Sequence, residues 1–254
     1  MKGHKGKSGL EGGLPCVVVL HEVWGPDAHL REARKRLRKL GFATVVPSLY
    51  KGYESLLTPG NIERAMAAVW DLSLEERRDK KRVVAELRSK GVGGVVSEVL
   101  AVLYDQGFRD RMLGITLGAV EAARRRHSKV ATLGFSLGGG LSLAAATRPG
   151  HPDAAVSYCG EPPGSQSLAG TATPMLAICA SHDDLMSPLM PRFMEAALRE
   201  ESDLTIKTFP GTRHDFFNKA KKDRYNRAAA EDAWGVTAWF LTRTLTQRPP
   251  LSKK

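Results

Sequence analysis

The hydrophobic residues of this chain form short continuous runs that alternate with stretches of helical spacing. Apolar residues that are continuous rather than alternating are typical of strands buried on both faces of a parallel sheet. The runs lie at 16–20, 42–46, 129–133, 154–158, 175–179 and 204–209. Helical patterns separate most of them, at 28–40, 139–147, 189–200 and 225–245. This order predicts a doubly wound, mostly parallel α/β sheet with helices on both faces.

The segment of residues 52–110, called the helical excursion below, breaks this rhythm. One apolar stripe at helical spacing includes Ile62, Met66 and Val69. A capping box, Ser73-Leu-Glu-Glu76, opens a second, charged helix, and a further apolar helix spans 95–103. Gly91, Gly93 and Gly94 separate the charged helix from the helix at 95–103 and could act as hinges between them. We expect either a lid over a ligand site or helices that simply cover one face of the sheet.

Length and composition favour one domain. The chain has 254 residues, of which 42% are hydrophobic, enough for a full core, so we expect a single domain over 1–254 with a flexible basic segment at 1–14. No apolar run reaches the roughly 18 residues that span a bilayer. The N-terminus lacks the apolar region of a signal peptide. These features predict a cytoplasmic protein that has no membrane partner.

The net charge of +11 is the main peculiarity of the composition. Much of it lies in the two ends of the chain and in 31–39, where the charges alternate with apolar residues at helical spacing and so form a solvated face. Aromatic interleaving is absent there, so we expect no nucleic-acid partner. The positive field would still attract anionic small substrates. The low number of Asn and Gln residues beside abundant arginine is compatible with a thermophilic source. The spacing of the three cysteines predicts buried thiols, with neither a disulfide nor a metal site.

The strongest chemical motif is Gly134-Phe-Ser136-Leu-Gly138. It follows the predicted strand at 129–133 and precedes the predicted helix at 139–147, which is the setting of a nucleophile elbow. Such a turn exposes the serine hydroxyl and directs the N-terminus of the helix at a developing oxyanion. Ser136 is therefore the predicted nucleophile. The alternative is an idle serine at a glycine-rich helix start.

A serine nucleophile needs a base that a third group orients. His214 follows the last predicted strand, and among the histidines after Ser136 it alone comes at the right place in the order serine, acid, histidine. Asp183 and Asp184 follow the run at 175–179, at the strand end where catalytic side chains of open α/β sheets collect. Both aspartates are candidates for the acid, although paired loop aspartates are more often solvated turn formers.

With these motifs in place, the chain resembles the dienelactone hydrolase family of α/β-hydrolases over residues 15–245. The segments that carry the resemblance are Leu20-His-Glu22-Val-Trp-Gly25, Pro47-Ser-Leu-Tyr50, Gly134-Phe-Ser-Leu-Gly-Gly139, Asp184 with Pro188, Arg213-His214-Asp-Phe-Phe-Asn218, and a closing helix with Tyr225, Ala233-Trp234 and Trp239-Phe240. The resemblance implies an α/β-hydrolase fold and a hydrolytic activity.

The resemblance also assigns roles to particular residues. Asp184, with a proline four residues later, matches the family's acid and is preferred to Asp183. The backbone N–H groups of Val23 and Leu137 are the implied oxyanion hole. Glu22 matches a glutamate that lies beside the nucleophile, and we expect Glu22, Trp24 and Tyr50 to line the substrate site. For Glu22 the alternative is a salt bridge to an arginine, because a buried carboxylate needs a partner.

Three features depart from the family's pattern. Ser136 replaces the cysteine of the founding enzymes, and a hydroxyl must lose its proton during attack, whereas a thiol ionises readily. Asn218 stands where those enzymes place an arginine that holds the substrate carboxylate. The family's N-terminal strand pair has no counterpart, because only a short Gly- and Lys-rich segment precedes the first run.

These observations predict a serine hydrolase that cleaves carboxylic esters or lactones of small molecules through an acyl-enzyme. No metal and no organic cofactor is expected. Two alternatives stay open: a small peptidase or thioesterase with the same triad, and a basic, non-catalytic binding protein on this fold. The sequence leaves the acyl specificity and the oligomeric state undetermined.

Overall fold

All six predicted hydrophobic runs form strands of one parallel sheet in the computed structural model, which describes residues 13–246. The strands are β1 (Cys16–Leu20), β2 (Ala43–Val45), β3 (Val130–Phe135), β4 (Ala154–Tyr158), β5 (Met175–His182) and β6 (Leu204–Arg213). Their order across the sheet is β2-β1-β3-β4-β5-β6, and every neighbouring pair is parallel. The predicted fold class is confirmed. Most of the basic segment 1–14, which was expected to be flexible and to lack the family's N-terminal strand pair, lies outside the described residues.

Helices cover both faces of this sheet. They are α1 (Ala28–Lys39), α2 (Pro59–Val69), α3 (Leu74–Arg78), α4 (Lys80–Ser89), α5 (Val95–Leu103), α6 (Gln106–Arg124), α7 (Leu137–Ala146), α8 (Met190–Arg199) and α9 (Arg227–Thr246). Side chains alternate between the faces of a strand. Cys16, Val18 and Leu20 therefore belong to the core formed with α2, α4, α5 and α6, whereas Val17 and Val19 belong to the core formed with α1 and α9. None of the helices in the described range has the length and apolarity needed to cross a membrane.

The helical excursion folds as a group of helices on one face of the sheet. Its capping box is present, because the Ser73 side chain accepts from the Glu76 N–H and the Glu76 side chain accepts from the Ser73 N–H. Its predicted end at residue 110 is wrong, since α6 begins at Gln106 and continues to Arg124. The hydrophobic pattern did not reveal this helix as one element. Glycines at 107, 114 and 118 lower its intrinsic helix propensity, and tertiary packing compensates for them.

The parallel sheet brings the carboxyl ends of its strands to one edge. The register pairs Leu20 of β1 with Gly134 of β3, so the residues after β1 lie beside the turn that follows β3. The segments after β5 and β6 reach the same edge. In open α/β sheets this edge is where ligands bind, and the predicted chemical residues all follow strands that end there.

Candidate active site

Ser136 occupies a tight, strained turn between β3 and α7. Its backbone has φ +49° and ψ −110°, a region that residues other than glycine rarely adopt. A Cβ on Gly134 would lie 1.9 Å from the carbonyl oxygen of Gly138, and one on Gly138 would lie 2.5 Å from that of Leu20. Both glycines are therefore required by contact. The turn is held in place by the Ser136 N–H, which donates to the Tyr158 carbonyl at 2.8 Å.

A chain of two hydrogen bonds runs from this serine into the protein. Ser136 Oγ lies 2.8 Å from His214 Nε2, and His214 Nδ1 lies 2.7 Å from Asp183 Oδ2. Asp183 is 2% exposed, and its other oxygen accepts from the N–H groups of Leu185 and Met186. The aspartate is thus fixed on two sides and orients the imidazole, the arrangement that a serine nucleophile requires.

The choice of Asp184 as the partner of His214 was wrong by one residue. Asp184 is exposed, while Asp183 is buried against the imidazole. Strand β5 continues to His182, and a turn closed by the Ser187 N–H on the Asp183 carbonyl follows at once. Neighbouring side chains point in different directions there, so only one aspartate can face the histidine loop. The match based on a proline four residues after the acid therefore selected the wrong aspartate.

His214 is surrounded by carboxyl groups. Burial alone would lower the pKa of its imidazole, but the hydrogen bond to Asp183 and the charges of Asp215, Asp183 and Glu22 outweigh it and raise the pKa to about 9. The ring is consequently charged at neutral pH. It accepts a proton from Ser136 only in the fraction of molecules in which it is neutral.

Val23 and Leu137 are the residues expected to form the oxyanion hole. Leu137 is the first residue of α7, and its N–H has no acceptor within the helix. The Val23 N–H has no acceptor in the part of the chain that the structure describes. Both residues line the same pocket as Ser136 and His214. Two free backbone donors beside a serine hydroxyl suit a developing negative charge.

Tyr50 and Trp24, both expected at the substrate, have different positions. Tyr50 is 5% exposed and does not line the pocket; its hydroxyl donates to the Val23 carbonyl at 2.6 Å. It therefore supports the turn of Val23 rather than contacting a substrate, and the expectation for Tyr50 was wrong. Trp24 does line the pocket, and Lys221 Nζ lies 3.7 Å from the centre of its ring.

Glu22 lies behind the pocket rather than in its wall, which corrects its expected role as a pocket residue. It is 3% exposed, its Oε1 accepts from Asn218 Nδ2 at 2.7 Å, and its Oε2 has no hydrogen-bond partner within residues 13–246. No arginine within residues 13–246 forms an ion pair with Glu22, so the alternative of a salt bridge is wrong for this part of the chain. Burial, then the charges of Asp215 and Asp27, raise the pKa of Glu22 to about 8. The carboxyl is therefore mainly neutral at pH 7.

Asn218 explains how the chain accommodates the loss of an arginine at this position. Its amide nitrogen donates to Glu22 and, at 3.2 Å, to Asp27 Oδ2, while its oxygen accepts from the Ala220 N–H. The side chain is buried and does not line the pocket. Asn218 thus connects the carboxyl groups of Glu22 and Asp27.

The sequence reasoning missed two groups of charged residues in the site. Asp215, directly after His214, is buried and lines the pocket. Farther out, Arg78 Nη2 and Arg109 Nη1 both donate to Glu161 Oε2, at 2.6 and 2.5 Å. A carboxylate next to the histidine was a visible signal. No sequence signal pointed to the two arginines, because α3 and α6 meet the end of β4 only in the folded chain.

The pocket has room for the centres of water-sized molecules over about 110 Å³ and opens to solvent. The strand-end residues, among them Ser136 and His214, form its floor. Side chains of the helical excursion form the facing wall, and those that line it are Met66, Trp70, Leu74, Arg77, Arg78, Leu103, Tyr104, Asp105, Gln106 and Arg109. The helical excursion thus covers the candidate site, as the lid alternative requires. Its mobility stays a prediction.

One group of side chains in the described range could offer three metal-ligand atoms. The ligand atoms of Cys159, Asp183 and His214 lie within 4.8 Å of one another, and all three residues are buried. Asp183 and His214 are already bonded to each other, and burial raises the pKa of the Cys159 thiol well above its usual value. A metal needs a thiolate and free lone pairs, so this donor set fits a hydrogen-bonded pair better than a metal.

Comparisons with known proteins show what the chain is similar to. Residues 7–245 match the model of the dienelactone hydrolase family. The "Putative carboxymethylenebutenolidase" of Saccharolobus solfataricus is 32% identical, over 90% of this chain and 89% of that protein. "Protein usf" of Aquifex pyrophilus is 26% identical, over 92% of this chain and 90% of that protein.

Two solved structures share the fold. One is the dienelactone hydrolase-like promiscuous phosphotriesterase P91 from metagenomic libraries, with a TM-score of 0.66 and 19% identity over 93% of this chain and 89% of that one. The other is the dienelactone hydrolase of Anabaena variabilis, with a TM-score of 0.56 and 19% identity over 92% and 88% of the two chains. At this identity the likeness concerns the fold alone.

Proposed function

The chain belongs to the dienelactone hydrolase family, and we propose that it is a serine hydrolase that cleaves carboxylic esters or lactones of small molecules through an acyl-enzyme. The observation that carries the proposal is the hydrogen-bonded sequence Ser136–His214–Asp183, which opens into a pocket beside two free backbone N–H groups. In this proposal the pocket supplies a nucleophile, a base, an orienting acid and oxyanion donors together. Asp183 replaces Asp184 in the proposed triad.

Acylation begins when Ser136 Oγ attacks the carbonyl carbon of the ester. The serine proton passes to His214 Nε2, and the carbonyl oxygen becomes an oxyanion that the N–H groups of Val23 and Leu137 stabilise. Asp183 accepts the Nδ1–H of the imidazolium and holds the ring in place. The tetrahedral intermediate expels the alcohol, which takes the proton from Nε2 and leaves Ser136 acylated.

Deacylation repeats these steps with water as the nucleophile. His214 Nε2 takes a proton from water as the water oxygen attacks the acyl carbon. The second intermediate then collapses, and Ser136 Oγ leaves with the proton from Nε2. The acid product departs and the free enzyme is restored. No metal or organic cofactor takes part in the proposed reaction.

Charged groups in the outer pocket favour an anionic ester or lactone. Arg78 and Arg109 share one carboxylate oxygen of Glu161, so two positive charges face one negative charge there. Lys221 stands over Trp24 at another side of the pocket. Because the walls between them include Met66 and Leu103, we propose a substrate with an apolar body and an anionic group remote from the scissile bond.

A substrate panel tests the function and its alternatives together. The purified protein is assayed on p-nitrophenyl esters of increasing acyl length, a lactone, a thioester and an aminoacyl amide, with each ester in a neutral and a carboxylated form. We expect ester or lactone turnover, with a lower KM for the carboxylated forms. Arg109→Gln should remove that difference. Preferred cleavage of the amide or thioester would support the alternative enzymes instead.

The matched controls are two serine variants. Ser136→Ala should lower turnover by several orders of magnitude, because covalent catalysis is lost. Ser142→Ala should keep it, since the Ser142 hydroxyl faces Thr132 in the core at 2.7 Å and not the pocket. A folded protein that turns over none of the panel would contradict the proposed function and favour a binding protein.

A further inference from the structure

Asp215 has an unusual backbone for a buried acid. Its φ is +67°, in the left-handed region, where aspartate is tolerated better than most residues but still at a cost. Ser136, the proposed nucleophile, is another of the few non-glycine residues with positive φ in the described part of the chain. The Asp215 side chain is 2% exposed. A strained backbone that buries a charged group needs a reason in the surrounding structure.

The two carboxylate oxygens of Asp215 have different surroundings. Oδ2 lies 3.5 Å from Arg224 Nη1. Oδ1 is buried without a hydrogen-bond partner among the described residues, and it lies 3.5 Å from His214 Nε2. That nitrogen is also the atom bonded to Ser136 Oγ. The unpaired oxygen therefore stands beside the atom that takes the proton from the serine, and leaving it unpaired is costly unless it gains a partner during the reaction.

We propose that Asp215 is a positioning residue of this hydrolase, whose Oδ1 is a second acceptor for the Nε2–H of His214 and holds the proton that His214 receives from Ser136. The proposal rests on the proposed function for its role in turnover. In this role Asp215 contacts neither the acyl carbon nor the leaving group, because its carboxylate acts only on the imidazole of His214.

The role of Asp215 changes along the reaction. While the proton is on Nε2, the N–H faces both Ser136 Oγ and Asp215 Oδ1. Once Oγ is bonded to the acyl carbon in the tetrahedral intermediate it is an ether-type oxygen, a weak acceptor, and Oδ1 is the stronger partner that remains. The proton then leaves Nε2 for the oxygen of the departing alcohol. Asp215 stays a carboxylate throughout, so no proton is gained or lost in the balance.

Other groups around His214 do not duplicate this position. Asp183 bonds to Nδ1, on the opposite side of the ring. Glu22, at the end of β1, hydrogen-bonds to Asn218 and raises the pKa of His214 only through its charge, once it ionises above its own pKa of about 8. Cys159, at the end of β4, carries a thiol whose pKa burial raises. Asp215 is the carboxylate beside Nε2 in the described site.

Arg224 opposes the effect of Asp215. Its guanidinium lies next to Asp215 Oδ2 and 4.4 Å from the centre of the Trp70 ring, directly after α2. Its positive charge weakens the field of the carboxylate at the imidazole. Removing Asp215 and removing Arg224 should therefore change the proton affinity of His214 in opposite directions, which a purely structural role of Asp215 does not require.

The experiment is an NMR titration of the histidine side chains in four proteins. These are the wild type, Asp215→Asn, Arg224→Gln and the double variant, with His214→Gln to identify the signal. Asparagine tolerates positive φ and keeps the shape of aspartate. We expect Asp215→Asn to lower the pKa of His214 by about one pH unit or more, and Arg224→Gln to raise it. In the double variant most of the Arg224 effect should be lost.

Enzyme kinetics provide the second measurement. The acidic limb of kcat/KM should move with the NMR value in each variant, and its high-pH plateau should fall in Asp215→Asn. An unchanged or higher pKa in Asp215→Asn, or the same Arg224 effect with and without Asp215, would overturn the proposal. Because the titration needs no substrate, failure to hydrolyse esters would contradict the proposed function and leave this test intact. Asp215→Gly, which accepts φ +67° without strain, replaces Asp215→Asn if that variant does not fold.

Discussion

Tyr50 donates its hydroxyl to the carbonyl oxygen of Val23 across 2.6 Å, from beneath the turn that carries the candidate oxyanion donor. Residues 22–25 form this turn, which the Gly25 N–H closes on the Glu22 carbonyl. Burial raises the pKa of the Tyr50 hydroxyl, so it stays a donor at any working pH. A buried side chain outside the pocket thus fixes a backbone group inside it.

Removing this hydroxyl should affect the chemical step more than substrate binding. Tyr50→Phe is expected to lower kcat about fivefold to tenfold, the equivalent of one hydrogen bond of about 1 kcal/mol, with little change in KM. Tyr53→Phe is the matched control, because Tyr53 packs edge-on against Phe108 and its hydroxyl has no hydrogen bond among the described residues. A rise in KM at constant kcat would show instead that Tyr50 contacts the substrate.

The two neighbouring aspartates give a direct test of the triad. Asp183→Asn should lower kcat by about four orders of magnitude, because the amide favours the wrong tautomer of His214. Asp184→Asn should have almost no effect, since Asp184 is exposed. Steady-state kinetics on the best ester, with circular dichroism as a check of folding, distinguish the two. A larger loss in Asp184→Asn would place the acid one residue later than the structure does.

The carboxyl groups around His214 should make the enzyme most active in alkaline solution. The imidazole must be neutral to act as a base, and its pKa is raised to about 9. We therefore expect kcat/KM to rise with pH and to reach its plateau only above that value. The measurement is the dependence of kcat/KM on pH for one ester, after its spontaneous hydrolysis has been subtracted at each pH. A midpoint between pH 6 and 7 would contradict the electrostatic account of the site.

Glu22 should make the folded protein less stable as the pH rises. Its pKa is raised from 4.5 to about 8, so the folded state binds more protons than the unfolded state between these values. The free energy of unfolding should therefore fall across this window. Glu22→Gln cannot ionise and keeps an acceptor for Asn218, so this part of the fall should disappear and the variant should exceed the wild type in stability at pH 9.

Urea unfolding at pH 5 and pH 9 measures the effect of Glu22. Glu121→Gln is the control, because Glu121 is an exposed residue of α6 paired only with Arg125. The control should follow the wild type at both pH values. An equal loss of stability in the wild type and Glu22→Gln between pH 5 and 9 would show that Glu22 is ionised in the folded protein near its ordinary pKa.

The sequence was sufficient for those parts of the fold that depend on local patterns. Continuous apolar runs predicted all six strands. The glycines on both sides of Ser136 predicted its tight turn, in which a Cβ on either glycine would collide with the backbone. Ser136 and His214 could be paired from the sequence because each follows a predicted strand, and they come in the order serine, acid, histidine. Helix α6 was not predicted, because three glycines within it weaken the local signal and packing supplies the rest.

The remaining errors concern the direction in which side chains point. Asp183 and Asp184 are chemically identical neighbours, and only the turn after β5 decides which of them faces His214. Tyr50 and Glu22 were expected in the pocket because the segments that contain them resemble family segments at the site, but both lie behind the pocket. Such differences arise from tertiary packing, which residue spacing does not encode.

The central claim is that Ser136 is the nucleophile of this hydrolase, and covalent labelling tests it most directly. The protein is treated with a fluorophosphonate, digested and analysed by mass spectrometry, beside Ser136→Ala and His214→Gln. We predict one adduct per chain, on the peptide that contains Ser136, absent in Ser136→Ala and formed much more slowly in His214→Gln. Stoichiometric labelling of another residue in the folded wild type, or equal labelling of Ser136→Ala, would contradict the account.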